Sequence, residues 1–406
     1  MTFPLRRIGV ASAALLMCVP LLASCGKSNN NASKSSTTTT AKAVSVSADS
    51  FTTDFSVMKQ LTGLAAQGKG KVGVLLPDTA SSARYVAFDA PYLKQAFEAA
   101  GLSSSDFKID NAQGSAATQQ QQAEADITEG ASVLLLDQLD SGSAAAIEKN
   151  AAQHGVKVID YDRLTKGGSP DRYYVSFDNV KVGQLIGKGI VACITDWKVT
   201  KPQLLLMDGD PTDNNATLFA NGYKGVLQPH FADATYVKVA EPGGTWDNQK
   251  ALTLFEQQYT AHPNINAVVT ANDGLGQSVI SALKSRSVPA KTVPVTGQDA
   301  TTQGLQNVLA NYQCGSVYKP IYLEAQAAAA MALYLRAGQT PPKSLVNGTT
   351  VDSTAKKNVP SVLLTPTWVT SANMNDTVIK DKFVKASDIC TTAALKSACT
   401  AAGISY

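Results

Sequence analysis

Acidic, amide and cationic residues in this chain fall where short apolar runs stop. Asp160-Tyr161-Asp162-Arg163 closes the run that begins at Val156. Asp208-Gly209-Asp210-Pro211-Thr212-Asp213-Asn214-Asn215 closes Gln203–Met207, and Asn272-Asp273 closes Ala267–Thr270. Gly297-Gln298-Asp299 closes Val293–Thr296, Lys319 closes Ser316–Tyr318, and Trp246 opens a helical stretch beyond Tyr236–Val239. Carboxylates accept the protons of hydroxyl groups, while Arg, Lys and Asn amides donate to hydroxyl lone pairs; ionised groups make the stronger bonds. An indole ring packs on the apolar C–H face of a pyranose. Asp162, Arg163, Asp213, Asn215, Trp246, Asn272, Asp299 and Lys319 therefore suit a small polyhydroxylated ligand. Several neighbours have simpler readings. Asp178-Asn179 reads as a helix N-cap, Asp208 and Asp210 as turn supports, Asn214 as a brace for its own loop and Gln298 as a strand-end bond.

Catalysis and metal binding find less support. His154, His230 and His262 are scattered and none ends a strand, so general acid–base chemistry lacks its usual candidate. No C-x-x-C or H-E-x-x-H spacing occurs, and neither a metal nor a cofactor is expected. Gly68-Lys69-Gly70-Lys71-Val72-Gly73 matches G-x-G-x-x-G, but it precedes a strand instead of joining a strand to a helix. Asp208-Gly209-Asp210 starts like a calcium loop, yet its sixth position is Asp213 and its twelfth Phe219, where glycine and glutamate are required.

The elements that must position these residues alternate. Strands are predicted at 71–76, 107–109, 133–136, 156–159, 203–207, 236–239, 267–270, 293–296, 316–318 and 362–364, with helical periodicity between most of them. Val133-Leu134-Leu135-Leu136 is apolar throughout, as a strand covered on both faces should be. The fold class is therefore α/β. About ten strands exceed one comfortable core, so two doubly wound parallel-sheet lobes are expected. In such sheets ligands sit beyond the carboxyl ends of the strands.

The chain has 406 residues, of which 44% are hydrophobic and 17% charged; 35 basic against 32 acidic residues give a net charge of +3. That balance suits a globular body and offers no polybasic footprint for nucleic acid. At the N-terminus Arg6-Arg7, an apolar run from Ile8 to Leu22 and Ala23-Ser24-Cys25 have the layout of an export signal. Leu22-Ala23-Ser24-Cys25 resembles a bacterial lipobox, which implies acylation of Cys25 and an extracytoplasmic chain anchored by lipid to the outer face of the cytoplasmic membrane. Gly26–Lys42 is rich in Asn, Ser and Thr and reads as a tether, extended here to residue 68. Cys193, Cys314, Cys390 and Cys399 remain for the folded body. In an exported protein they suggest two disulfides, Cys390 with its near neighbour Cys399 and Cys193 with Cys314, among three possible connectivities.

The motifs also carry a family resemblance. Tyr161-Asp162-Arg163, Ser176-Phe177-Asp178-Asn179, Pro211-Thr212-Asp213-Asn214-Asn215-Ala216, Asn272-Asp273, Gly297-Gln298-Asp299-Ala300, Val317-Tyr318-Lys319-Pro320 and Leu363-Leu364-Thr365-Pro366 keep their order from about Lys71 to about Val384. In this the chain resembles the sugar-binding components of ABC importers, in the type I periplasmic-binding-protein family, and most of all the xylose receptors among them. The resemblance implies lobes of 69–163 plus 320–363 and 164–319 plus 364–406, joined by a three-segment hinge at Arg163–Tyr173, Lys319-Pro320 and Leu364-Thr365-Pro366. It implies that Asp162 and Arg163 contact ring hydroxyls from one lobe. Asp213, Asn215, Asn272, Asp299 and Lys319 would contact them from the other lobe and the hinge, with Trp246 stacked on the sugar. In the first βα loop the family pattern has an Arg-Trp pair, to which Arg84-Tyr85 corresponds. The partners implied are a monosaccharide, D-xylose or a similar pentose, and a membrane permease with its ATPase subunit; the chain itself would be a monomer. A sugar-sensing subunit for a membrane kinase or chemoreceptor, and an extracytoplasmic sugar enzyme, are the alternatives. The export signal stands where a repressor of this fold would carry its DNA-binding head.

Overall fold

The computed structural model describes residues 45–406. The export signal, Cys25 and the Gly26–Lys42 tether lie outside the described residues. The first strands are β1 (Lys71–Leu76), β2 (Phe107–Asn111), β3 (Ala131–Leu136), β4 (Lys157–Tyr161) and β5 (Tyr173–Phe177). The next are β6 (Gln203–Met207), β7 (Val237–Ala240), β8 (Ala267–Thr270) and β9 (Ser316–Tyr318). The chain ends with β10 (Gly348–Asp352), β11 (Lys357–Leu364) and β12 (Thr367–Val369).

The first lobe is built on a seven-stranded sheet in the order β10-β11-β5-β4-β3-β1-β2, parallel except for the β10–β11 hairpin. Its strands are apolar on both faces because helices cover both. Val74, Leu76, Val133 and Leu135 pack with Leu93, Phe97 and the alanines of the Ile321–Arg336 helix. On the opposite face Leu75, Leu134 and Leu136 meet Ala123, Ala144 and Ile147 of the Ala116–Thr128 and Ser141–Gln153 helices. The second lobe holds the parallel sheet β7-β6-β8 and the antiparallel pair β12-β9, linked by the bridges Val268–Val295 and Gln298–Val317. Residues 293–296, expected as a strand, make only the single bridge. The Thr296 hydroxyl takes up the ladder positions, accepting from the Thr270 amide and donating to the Thr270 carbonyl.

The chain crosses between the lobes at three places. β5 leads through Asp178 into the Asn179–Asp196 helix, β9 leads through Lys319-Pro320 into the Ile321–Arg336 helix, and β11 leads through Thr365-Pro366 into β12. Two expectations need correction here. A first lobe ending at residue 163 stops too early, because β5 lies between β4 and β11 in the first sheet. The loop before it stays with that lobe too: Arg172 bonds Asp160 at 2.9 Å and Asp352 at 2.7 Å. The first crossing is therefore at Phe177–Asn179, not at Arg163–Tyr173.

A flexible tether reaching residue 68 also fails. Val46, Phe51, Phe55, Met58, Leu61 and Leu64 are buried in the main core, and Gln326 Nε2 donates to the Thr52 carbonyl at 2.9 Å. These residues form short 3-10 turns at Ala48–Ser50 and Ser56–Leu61, too irregular to show a helical or strand period. Both disulfides form, Cys193–Cys314 and Cys390–Cys399. Among the described residues no helix is long and apolar enough to cross a membrane.

Because Met58 is fully buried, Met58→Ala is expected to cost ~2–5 kcal/mol in denaturant unfolding, as core truncations do. An unchanged midpoint would mean that this arm does not pack.

Candidate functional site

All ten side chains singled out from the sequence line one hollow at the carboxyl ends of the strands, between the lobes. Its volume is about 20 Å³, room for a water molecule or two and less than a monosaccharide occupies. The polar groups instead meet one another across the cleft.

The first lobe contributes Arg84, Tyr85, Asp162 and Arg163. Asp78, just past β1, ties the loop that follows by accepting from the amides of Ala80 at 2.8 Å and Ser81 at 2.6 Å. That loop delivers Arg84, which is 1% exposed. Arg84 grips Asp89 through Nε (2.9 Å) and Nη2 (2.7 Å), Glu324 through Nη2 (2.6 Å) and Asp162 through Nη1 (2.8 Å). One Nη1 proton is left for a ligand, so Arg84 mainly positions Asp162. Tyr85 donates to Asp162 at 3.2 Å and accepts from Arg163 Nη2 at 2.9 Å. Both guanidinium groups lie over its ring, Arg84 at 5.5 Å and Arg163 at 5.4 Å from the centre.

Asp162 has φ 57°, in the left-handed region that non-glycine residues seldom adopt. Three bonds hold its carbonyl there, from Tyr174 Oη (2.9 Å), Ser176 Oγ (2.8 Å) and Asn215 Nδ2 (2.8 Å). The last reaches across from the second lobe. Asp299 is likewise left-handed, with φ 96°. Such strain gathers where a side chain must be aimed against local preference.

The second lobe sets its residues at helix starts. Asp213 caps the Asn214–Ala232 helix by accepting from the Asn215 amide at 2.9 Å, and it also accepts from Trp246 Nε1 at 3.0 Å. Asn272 caps the Asp273–Ser285 helix and donates across the cleft to the Ser81 carbonyl at 3.3 Å. Asp299 accepts from Ser82 of the first lobe at 2.9 Å and lies 3.2 Å from Lys319. Lys319 is also 3.9 Å from Asp162 and sits near the Phe177 and Phe219 rings. Trp246 lies so close to Gly209 that a Cβ there would strike the indole. Of the residues with simpler readings, Asp178 does cap its helix, Asp210 holds the turn at Thr212, and Asp208 binds Tyr223 and Lys224.

Sequence reading missed Ser81, Ser82 and Phe219, and it took Gln298 for a strand-end bond although Gln298 lines the hollow with Oε1 unpartnered. It also missed Asp137, fully buried just past β3 and 3.6 Å from Arg163 Nε, and Gln138, whose carbonyl accepts from Arg163 at 3.2 Å. The strand-end rule would have found both.

The carboxyls divide by environment. Burial raises Asp213 and lifts Asp137 far above the ordinary range, the latter helped by the neighbouring Asp162 charge. Burial also works on Asp162, but Arg84, Lys319 and Arg163 outweigh it and hold that carboxyl below its usual value. Burial lifts Glu324 to about 8 against the pull of Arg84. Within one network, the neighbouring cations favour the charge on Asp162, while burial works against it on Asp137, Asp213 and Glu324.

Residues 72–340 match the family model for the periplasmic binding protein domain. The chain belongs to that family. It is similar to the D-xylose-binding periplasmic protein of Escherichia coli (strain K12), with 38% identity over 69% of this chain and 82% of that protein. It is 31% identical to the multiple sugar-binding periplasmic protein SbpA of Azospirillum brasilense, over 77% of this chain and 89% of that one. Among solved structures it resembles a carbohydrate transporter solute binding protein from Chloroflexus aurantiacus in complex with D-glucose. That likeness has a TM-score of 0.69 at 29% identity and covers 78% of this chain and 97% of that one. The two-lobed α/β architecture is that of type I periplasmic binding proteins, and the hollow lies where the periplasmic binding protein lobes face each other.

Stability should fall as pH rises. Glu324 at about 8 and Glu148, raised chiefly by burial to about 9, have ordinary values of 4.5. Between those limits the folded chain keeps protons that the unfolded chain has released, so stability present on the acid side is lost toward pH 8 and 9. Asp162 acts in the opposite sense, but only in acid below its ordinary 3.8. Thermal unfolding should give a lower Tm at about pH 9 than at about pH 5.5. Glu324→Gln, which imitates the protonated carboxyl, should reduce that drop; an equal drop in the variant would assign the effect to other groups.

Proposed function

We propose that this chain is an extracytoplasmic receptor for a neutral monosaccharide, D-xylose or a close pentose, which it delivers to an ABC permease. The observation that carries this reading is the split site. Asp162 and Arg163 approach from one lobe, and Asp213, Asn215, Asn272 and Asp299 from the other, onto one hollow. A sugar admitted by opening at the three crossings would exchange the present cross-cleft bonds for bonds to its hydroxyls. It would favour the closed form by its higher affinity for it. The similarity to D-xylose-binding and multiple sugar-binding proteins supports a sugar and favours the pentose. Tyr85 stands where the family pattern has Trp, so the preference among pentoses turns on a phenol whose hydroxyl is already engaged by Asp162 and Arg163. Acylation at Cys25 would keep the receptor beside its permease.

Calorimetry over xylose, ribose, arabinose, glucose and galactose should show D-xylose binding most tightly, with a change in Trp246 fluorescence. Silence across the whole panel would overturn the reading. Asp299→Ala should weaken binding by ~1–3 kcal/mol, the cost of leaving buried polar groups without their acceptor; unchanged affinity would remove Asp299 from the contacts. In cell fractionation, Cys25→Ala should release the protein from membranes. Its retention there would mean a different anchor.

A further inference from the structure

The hollow is only the inner part of the cleft. Past Ser82 and Asp299 a second cavity of about 560 Å³ opens between the lobes. Ser81, Ser82, Asn272 and Asp299 line both spaces, so the two are neighbours separated by a thin polar wall. Two hydrogen bonds make that wall, Ser82 to Asp299 at 2.9 Å and Asn272 to the Ser81 carbonyl at 3.3 Å. The outer space, like the inner one, has walls from both lobes. Ala83, Ala87 and Phe88 face Leu252, Gln277 and Ser281.

Its lining is more apolar than polar and nearly uncharged. No Lys or Arg lines it, so an anion would find no counter-charge. Its carboxylates are already engaged. Asp273 accepts from Thr301, Gln313 and Ser316, and Asp299 pairs with Lys319. Amides and hydroxyls complete the lining: Gln249, Thr302 and Gln303 can both donate and accept, while Gln277 donates to Ser281 at 3.0 Å and accepts from Asn307 at 2.6 Å. Leu252, Phe88 and the alanines add apolar surface for C–H faces. The volume is within the ~300–1,000 Å³ usual for small-molecule sites.

We propose that this outer cavity is a subsite for a second neutral sugar unit, so that the receptor also takes a pentose disaccharide such as xylobiose with one ring in the inner hollow. The proposal rests on the sugar-binding reading of that hollow. The glycosidic link would pass between Ser82 and Asp299. A glycosidic oxygen carries no proton and asks for no acceptor there. Rotation of the Ser82 hydroxyl away from Asp299 would leave a carboxylate within reach of both rings.

Calorimetry on the full chain with D-xylose and with xylobiose tests this. Wild type should bind both. Ser281→Trp, on an exposed helix position, should lower xylobiose affinity ~10-fold or more while D-xylose stays within ~2-fold. Gln303→Trp, also exposed, should do the same from the neighbouring helix of the same lobe, and retained D-xylose binding shows that each variant is folded. D-xylose binding without xylobiose binding removes the subsite and leaves the monosaccharide receptor standing. Equal losses for both sugars, or none for either, also remove the subsite. If neither sugar nor any of the monosaccharides above binds, receptor and subsite fall together.

Discussion

The turn at Asp162 is the constraint on which the rest of the cleft depends. Its backbone is held left-handed by donors to its carbonyl from β5 and from the second lobe, and its side chain is held by Arg84, Tyr85 and the approach of Lys319. One residue therefore ties the first βα loop, the first sheet and the second lobe to the same point. Arg84 extends the tie through Glu324 into the first turn of the Ile321–Arg336 helix, the element that follows the second crossing. Buried ion pairs of this sort add little net stability, because desolvation consumes the Coulombic gain. Their use here is geometric: they fix where a carboxylate points in a place where water cannot do so.

The same network explains why a site so rich in carboxyls need not repel itself. Six buried carboxyls, Asp89, Asp137, Asp162, Asp213, Asp299 and Glu324, surround Arg84, Arg163 and Lys319. Burial disfavours the charge on Asp137, Asp213 and Glu324, while the surrounding cations favour it on Asp162.

Much of this was legible because a parallel sheet puts its loop chemistry at one end. Finding where an apolar run stops is enough to place Asp162, Asp213, Asn272, Asp299 and Lys319 on one side of the molecule. Asp137, just past β3, obeys the same rule. Other features lacked a one-dimensional signal. β5 follows a Gly-Gly-Ser-Pro loop, and its membership of the first sheet is decided by its partners β4 and β11, the latter far along the chain. Phe219 lies inside a helix, and only the three-dimensional path of that helix brings it to the hollow. Residues 45–68 hide their packing because Val46, Phe51, Phe55, Met58 and Leu61 follow neither a strand nor a helix period.

Both disulfides lie within the second lobe and neither spans the cleft. Cys193 and Cys314, 121 residues apart, enclose the whole of the β6-β7-β8 sheet. That lobe is largely one continuous stretch, whereas the first sheet waits for β10 and β11 from far downstream. Cys193 and Cys314 therefore pair without any contribution from the Ile321–Arg336 helix or from β10 and β11, which follow in the chain. The covalent staples thus fasten one jaw internally and place no cross-link between the two.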